Sequence, residues 1–379
     1  MDKQQYIESV NAAKQHSYNY YVLSQPTISD AEFDRLVDAI EQTEAEHPDW
    51  TLPDSPTQQV GSDLVGSARR TILHRTPMLS CQKAQTADKV TAWLQKLTKK
   101  LGYTPDVMLS WKADGISCSL VYQDGQLIEA STRGDGPTGQ DLMQHVRLMA
   151  TVPQTIHGEG RIEVRGEIVC PKANLHGLRD RNGKQYADCR SAASSLCNQD
   201  TPSAQMTWLE FWAWDCISDL INSQRDALVM LPRYGFKVCY EFFVGESMVQ
   251  YRTLKNLDTM ATAREETTIP TDGIVIRINS NAVFQAQGFT DHHPKGSIAY
   301  KFPAQTTTSV VRRIEITVGA TGRRTPVAWF DPVTILGRIV EKASLGSEDT
   351  MCKLGVTEGA TVEVGLSNDV IPKIYRVVV

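Results

Sequence analysis

Two strand-like stretches joined by a tight turn constrain this sequence most. Residues 116–122 alternate apolar and small polar side chains, as strands do, and residues 126–132 read as the returning strand. Between them, Asp124-Gly125 has the composition of a two-residue hairpin turn. The run 107–109 is also apolar and ends just before Trp111-Lys112-Ala113-Asp114-Gly115. We therefore expect antiparallel sheet with a lysine and a carboxylate at a strand junction.

Lys112 is a candidate nucleophile because of what surrounds it in sequence. It lies two residues before Asp114 and three before Gly115. A lysine attacks only as the free amine, which desolvation and neighbouring cations favour and an adjacent carboxylate opposes. Gly115 would let a ligand approach the backbone closely. Taken alone, so short a motif is more often a surface turn than a catalytic site.

The composition is that of a soluble globular protein. The 379 residues, with 41% hydrophobic and 22% charged side chains, suffice for two or three domains. No apolar run approaches the length of a membrane span, and the N-terminus lacks a signal-peptide pattern. The eight cysteines include no C-x-x-C pair, so we expect no structural zinc site and reduced thiols in the cytoplasm.

Charge is unevenly distributed along the chain. Residues 1–60 carry three basic and eleven acidic side chains, a net charge of −8. Since the whole chain carries −5, the remainder carries +3. A modest basic excess outside an acidic N-terminal module is compatible with binding phosphates but does not require it.

Three regions of different character follow one another. Residues 1–60 read as helices, and residues 61–305 alternate strand-like runs with loops and a few helices. In residues 306–379, glycine turns separate short strands, which fits a small closed barrel of the OB type. The strands expected there are 310–318, 327–330, 333–336, 360–364 and 370–379.

Several charged side chains enter the strands of the central region. Glu163, Arg165 and Glu167 alternate with valines and isoleucines, so they share one face of a strand. That face is either exposed to solvent or part of a polar cleft. Lys301 lies between Tyr300 and Phe302 and either snorkels to the surface or joins the same cleft. The strand 208–214 is rich in aromatic residues and is expected to be core.

Five short motifs occur in order along the chain. They are Lys112-Ala113-Asp114-Gly115, Ser131-Thr132-Arg133-Gly134-Asp135-Gly136, Val164-Arg165-Gly166-Glu167, Asp272-Gly273-Ile274-Val275-Ile276 and Ala299-Tyr300-Lys301-Phe302-Pro303-Ala304. As an ordered set they resemble the signatures of the bacterial NAD-dependent DNA ligases. Residues 26–34 and 54–57 resemble that family's nicotinamide-recognition module, and residues 318–322 and 369–372 resemble its OB domain.

The resemblance implies an α+β fold in three parts. Residues 1–60 would form a helical domain that recognises nicotinamide mononucleotide. Residues 61–305 would form the adenylation domain, a nucleotidyltransferase with ATP-grasp-like antiparallel sheets. Residues 306–379 would form an OB-fold barrel.

The resemblance also implies residue roles. Lys112 would attack the adenylyl phosphorus of NAD, and the AMP would pass to a 5′-phosphate, from which a 3′-hydroxyl displaces it. Asp114 and Lys301 would complete the catalytic set, with Lys301 holding the phosphate. Residues expected to bind NAD are Tyr20, Asp30, Asp34, Gly115, Arg133, Glu167, Arg190 and Arg277. Residues expected to meet magnesium, directly or through water, are Asp272 and Glu167.

Five positions differ from the pattern usual in the family. Ser110 replaces a glutamate two residues before the nucleophile, so contacts with adenine would differ. Arg277 replaces a lysine, which keeps the charge but changes its geometry. Tyr21 and Phe33 replace a histidine and a tyrosine of the nicotinamide pocket. Ala320 replaces an arginine of the barrel, which would weaken the grip on DNA phosphates.

The expected function is sealing of nicked duplex DNA by a monomer in the cytoplasm, or the host cytoplasm if the protein is viral, without a membrane partner. The zinc, helix-hairpin-helix and BRCT modules of the family do not follow in this sequence, so we expect either a naturally compact form or a truncated one. One alternative is an RNA ligase or another AMP-transferring enzyme on the same scaffold. Another is a degenerate nucleic-acid-binding module, against which the retained charged residues of the motifs argue.

Overall fold

The structure is a computed structural model that describes residues 1–21, 27–28, 30–52, 55–57, 69–239, 242–244, 249–290, 293–302, 306–318, 324–335, 338–367 and 371–378. The chain divides into two compact units. The first comprises Met1–Thr27 and Ala39–Phe302, and the second comprises Ile28–Asp38 and Pro303–Val379. Within these described ranges, no helix is long and apolar enough to cross a membrane.

Two helices, α1 (Lys3–Tyr21) and α2 (Asp30–Glu46), open the chain. They confirm the prediction that residues 1–60 are mainly helical, and the Tyr6 side chain of α1 is fully buried. The Tyr6 hydroxyl donates to Glu44 at 2.8 Å and accepts from the backbone N–H of Leu52 at 3.0 Å. These bonds satisfy a buried carboxylate and fix the turn that follows α2.

The remainder of the first unit contains twelve described strands and six described α-helices. The strands are β1 (Thr71–Leu73), β2 (Gln82–Ala84), β3 (Val107–Ala113), β4 (Ile116–Gln123), β5 (Gln126–Thr132), β6 (Thr138–Gln140), β7 (Arg161–Val169), β8 (Glu210–Ile217), β9 (Lys237–Val238), β10 (Phe242–Val244), β11 (Thr271–Ile278) and β12 (Ser297–Lys301). The helices are α3 (Ala87–Leu101), α4 (Met143–Val146), α5 (Cys189–Cys197), α6 (Gln224–Arg233), α7 (Val249–Ala263) and α8 (Asn281–Gln287).

Two five-stranded sheets carry this part of the molecule. One has the strand order β10-β3-β11-β12-β2 and the other has the order β5-β4-β7-β8-β9. Their neighbouring strands are antiparallel, except that β12 pairs with β2 and β8 with β9 in parallel. Since β3 and β4 belong to different sheets, the two residues that connect them, Asp114 and Gly115, lie where the chain passes from one sheet to the other.

The predicted hairpin is confirmed as β4 and β5. Asp124 and Gly125 have φ angles of 48° and 79°, so both central residues of the turn are left-handed. This geometry matches the twist of the flanking strands, and aspartate and glycine tolerate it best.

Each five-stranded sheet has its own hydrophobic core. Leu120 of β4, Ile168 of β7 and Phe211 of β8 are fully buried in the core of the β5-β4-β7-β8-β9 sheet. Leu109 of β3 and Ile274 of β11 are fully buried in the core of the other sheet, which the apolar side of α3 also lines. These cores fix the strands whose polar faces carry the candidate site.

The second unit contains a five-stranded barrel. Its elements are β13 (Thr306–Val318), β14 (Arg324–Ile335), β15 (Arg338–Ser344), α9 (Glu348–Leu354), β16 (Thr361–Ser367) and β17 (Ile371–Val377). The strand order is β15-β14-β13-β16-β17, and β15 also contacts β17, which closes the sheet. Inward-facing side chains such as Val311, Phe330 and Val362 form its core.

Two details of the barrel prediction are wrong. The strands expected at 327–330 and 333–336 are one strand, β14, whose pairing with β15 is irregular between Trp329 and Val333. The prediction placed no strand at β15, where Val340 and Ala343 face the core but charged residues stand between them.

The strand expected at 208–214 in the central region begins only at Glu210. Trp208 instead ends a 3-10 turn, with 42% of its surface exposed.

The buried histidine His74 makes stability depend on pH. Its Nε2 lies 3.0 Å from the Thr132 carbonyl oxygen, and burial lowers the pKa of His74 below its ordinary value. Below about pH 6.5 the unfolded chain therefore binds a proton that the folded chain excludes. The contribution of a neutral, buried His74 to stability is therefore fully present above that pH and is lost as the pH falls toward the folded-state pKa.

We expect His74→Gln to weaken this dependence. The fall in unfolding temperature between pH 7 and pH 5 should shrink by about 2 °C. Scanning calorimetry at both pH values measures it, with the exposed His157→Gln as the control that retains the full fall. An unchanged fall in His74→Gln would contradict the assignment.

Candidate active site

Three strands of one sheet bring two lysines together. Lys112 on β3 lies opposite Gly273 on β11, and Gly273 lies opposite Lys301 on β12. Directly opposed residues of antiparallel strands share a face of the sheet, so the two lysines flank Gly273. A Cβ at Gly273 would clash with the Tyr300 carbonyl oxygen, so this position requires glycine.

A bulge places Asp272 against both lysines. The register of β11 against β3 shifts between Thr271 and Gly273, which makes Asp272 the extra residue. Lys112 Nζ donates to the two carboxylate oxygens of Asp272 at 2.9 and 3.0 Å. Lys301 Nζ lies 3.8 Å from Asp272 Oδ2. All three side chains are at most 29% exposed, so solvent screens them only partly.

Asp272 remains a carboxylate despite its burial. Burial raises the pKa of Asp272, but the ammonium groups of Lys112 and Lys301 lower it, and the net direction is below the ordinary value. The negatively charged Asp272 therefore keeps the ammonium groups of Lys112 and Lys301 close together.

The other sheet contributes a second carboxylate. Glu167 on β7 lies opposite Ser117 on β4, whose hydroxyl donates to Glu167 Oε1 at 2.6 Å. Burial raises the pKa of Glu167, while Ser117, Lys112 and Arg190 act in the opposite direction. The backbone N–H of Arg133 donates to the Ser117 carbonyl at 3.0 Å, so the strand pairing places this arginine beside Ser117.

The connection between the sheets carries Asp114 and Gly115. Asp114 forms an ion pair with Arg190, from the first turn of α5, and its backbone N–H donates to the Pro270 carbonyl at 2.9 Å. A Cβ at Gly115 would clash with the Ile168 carbonyl oxygen. Close packing of the chain against β7 is therefore sufficient to explain why residue 115 is glycine. The sequence had suggested a different reason, the close approach of a ligand to the backbone.

Arg277 lies on the same face of β11 as Gly273, but farther along the strand. It is four residues beyond Gly273, about 13 Å along a strand. Its guanidinium donates to Asn281 at 2.9 Å, lies 3.9 Å from Asp215 and 4.2 Å from the centre of the Phe284 ring. The structure thus brings together Lys112, Asp272 and Lys301 and leaves Arg277 at the far end of their face.

Sequence reasoning missed Arg264. This residue is 8% exposed, donates through Nε to the Thr271 carbonyl at 3.0 Å and lies 5.4 Å from the centre of the Phe302 ring. Burial lowers the pKa of Arg264, and the charges of Asp272 and Asp114 oppose this, which places it beside the site. Its only sequence signal was a basic residue shortly before the fourth motif.

The nicotinamide contacts fall largely outside the described residues. Tyr20 lies in α1, and Asp30 and Asp34 lie in α2, but their side chains, like that of Tyr21, are outside the described part of the chain. The same holds for Ala320. The expected contacts of these residues stay predictions.

Asp272 and Glu167 suit a magnesium ion chemically. Carboxylate oxygens are the ligands that magnesium prefers, and one or two carboxylates with water and substrate phosphate are its usual protein set. Among the described residues, no group of three or more histidine, cysteine or acidic side chains could hold a metal by itself. The two carboxylates therefore fit an ion shared with a substrate better than a closed structural site.

The fold and this site define a nucleotidyltransferase domain with a candidate nucleophilic lysine, accompanied by an OB-fold barrel. The chain belongs to the NAD-dependent DNA ligase family. Residues 67–305 match the NAD-dependent DNA ligase adenylation domain, residues 2–61 match the DNA ligase-like N-terminal NAD+-binding domain, and residues 308–379 match the NAD-dependent DNA ligase OB-fold domain. The predicted resemblance and fold class are confirmed.

Three bacterial relatives are similar along nearly the whole chain. The DNA ligase of Halorhodospira halophila is 37% identical over 382 residues, covering 96% of this chain and 52% of that protein. The DNA ligases of Cellvibrio japonicus and Porphyromonas gingivalis are each 35% identical, covering 96% of this chain and 55% and 56% of those proteins. The chain spans about half the length of the curated relatives it matches.

Proposed function

We propose that this chain is an NAD-dependent DNA ligase that seals 5′-phosphate/3′-hydroxyl nicks through a lysyl-AMP intermediate on Lys112. The observation that carries the proposal is the convergence of Lys112, Asp272 and Lys301 within the region that matches the adenylation domain. The arrangement places the candidate nucleophile beside a second cation, which is one of the ways a lysine is activated for attack.

The chemistry follows from how these charges are balanced. Asp272 holds Lys112 in position until the lysine loses its proton, which solvent can accept because the Lys112 side chain is 29% exposed. The free amine then attacks the adenylyl phosphorus of NAD. A nitrogen–phosphorus bond then forms as the bond to nicotinamide mononucleotide breaks. When Lys112 departs, Asp272 retains Lys301 as a counter-charge, so the carboxylate is not stranded. Positioning and charge neutralisation account for most of such a phosphoryl transfer.

The other site residues are proposed to hold the substrate. Lys301 would contact the phosphate, while Arg133 and Glu167 would hold the ribose and the nearby phosphate. Tyr20, Asp30 and Asp34 would contact the nicotinamide half, which the match of residues 2–61 to an NAD+-binding domain supports. Magnesium would be held by Asp272 and Glu167 and would neutralise charge on the phosphate.

The biological setting is proposed on the same family membership. The substrate would be nicked duplex DNA, and the protein would act as a monomer in the cytoplasm. The boundaries 1–60, 61–305 and 306–379 remain our proposed division into domains.

Intact mass spectrometry tests the proposed reaction. The purified chain is first freed of any bound AMP and incubated with magnesium and either NAD or ATP, and the product is mapped by peptide analysis. We expect one AMP on Lys112 from NAD and none from ATP. AMP from ATP alone would overturn the assigned cofactor, and no adduct from either would overturn the proposed activity.

A further inference from the structure

A buried ion pair lies on β7 beside the site. Glu163 and Arg165 are 4% and 6% exposed, and Arg165 Nε donates to Glu163 Oε1 at 2.7 Å. The alternative that this face is exposed to solvent is therefore wrong. Burying two charges has a large desolvation cost that their attraction seldom exceeds by much. The proposed chemistry uses neither charge, so the pair requires another explanation.

The remaining donors of Arg165 reach a separate stretch of backbone. Nη1 donates to the Pro77 carbonyl at 3.2 Å, and Nη2 donates to the Thr76 carbonyl. One planar guanidinium thus holds two consecutive carbonyls while Glu163 fixes its orientation. A lysine could not make this forked contact.

The stretch Thr76–Ser80, here called the 76–80 segment, leads directly to Arg133. Ser80 Oγ accepts a hydrogen bond from Arg133 Nη1 at 2.6 Å. Met78 donates its backbone N–H to the Gly136 carbonyl at 3.0 Å, which ties the segment to the loop that carries Arg133. Beyond the segment, β2 pairs with β12, the strand of Lys301.

We propose that Arg165 is a positioning residue for the nucleotide. By holding the 76–80 segment, it places Ser80 where the serine orients the guanidinium of Arg133 toward the substrate. The inference rests on the proposed function, in which Arg133 contacts the ribose and phosphate of NAD. It assigns to the buried pair a role in substrate affinity rather than in the chemical step, since Lys112 and Asp272 lie on the other sheet.

Arg165→Lys is the informative variant because it keeps a positive charge beside Glu163 and loses only the fork. The concentration of NAD that gives half-maximal single-turnover adenylation should rise about tenfold, the equivalent of one charged hydrogen bond. The maximal rate should change less than about twofold, because the reacting groups are untouched. Arg161→Lys is the matched control: Arg161 also pairs with Glu163, at 3.5 Å, from the same strand. It should change neither quantity.

A double-mutant cycle separates positioning from general destabilisation. Ser80→Ala should raise the half-maximal NAD concentration as Arg165→Lys does. The double variant should need no more NAD than the more impaired of the two single variants, because both residues act through the same contact. The inference would be overturned if the two single-variant increases in half-maximal NAD concentration multiplied in the double variant. It would also be overturned if Arg165→Lys changed that concentration no more than Arg161→Lys does.

Hydrogen exchange tests the same inference without substrate. The Met78 amide should exchange about tenfold faster in Arg165→Lys than in Arg161→Lys, since its bond to Gly136 depends on the held segment. Equal exchange would overturn the positioning role even if the protein took no AMP from NAD. Conversely, absence of an adduct in the wild-type chain would refute only the proposed function.

Discussion

Lys112→Ala is expected to abolish transfer of AMP from NAD to the protein, and with it the sealing of nicks from NAD. No other group can replace a nucleophile that forms the covalent intermediate. Lys112→Arg should fail equally, because a guanidinium stays protonated at any working pH. Intact mass after incubation with NAD and magnesium measures the first step, and a nicked duplex measures the whole reaction.

Two comparisons make the Lys112 result specific. Lys237→Ala removes a partly exposed lysine that pairs with Glu210 at 2.7 Å on the edge of the other sheet, and it should adenylate normally. Lys112→Ala supplied with a nick that already carries AMP should still seal it, since only the final displacement remains. An AMP adduct in Lys112→Ala mapped to another residue would refute the assignment of the nucleophile.

Local signals in the sequence predicted the parts of the fold that depend on neighbours in the chain. The β4–β5 hairpin was identified because Asp124 and Gly125 tolerate left-handed φ angles and the flanking residues alternate. The barrel strands were misdivided because short apolar runs gave no sign that a pairing irregularity lies inside one continuous strand, β14. Strand β15 was missed because few of its residues are apolar.

The site depends on contacts that sequence spacing does not reveal. Lys112 and Asp272 are 160 residues apart, and only the ordered motifs indicated that both belong to one site. Their direct contact was not predicted. The bulge that presents Asp272 and the burial of Arg264 arise from tertiary packing. The face of Glu163 and Arg165 was left open because alternation shows which residues share a face, not what covers it.

Asp272→Asn should slow adenylation by about two to three orders of magnitude, mainly by misplacing Lys112. At an effective dielectric constant of about 20, unit charges about 3 Å apart attract by about 5 kcal/mol before desolvation. The amide retains the shape of the side chain but loses this attraction. Lys112 and Lys301 are then left as neighbouring positive charges with no carboxylate between them, and single-turnover adenylation at saturating NAD measures the consequence.

Magnesium concentration distinguishes the two roles proposed for Asp272. If the carboxylate chiefly binds the metal, raising magnesium should restore most of the rate, whereas lost orientation of Lys112 cannot be restored that way. We expect little restoration, because Glu167 would remain as a metal ligand, whereas added magnesium cannot replace the two hydrogen bonds from Lys112 to Asp272. Asp331→Asn, which removes an exposed ion pair with Arg312 in the barrel, is the control and should adenylate normally. Wild-type adenylation by Asp272→Asn would show that this carboxylate neither orients the lysine nor supports its attack.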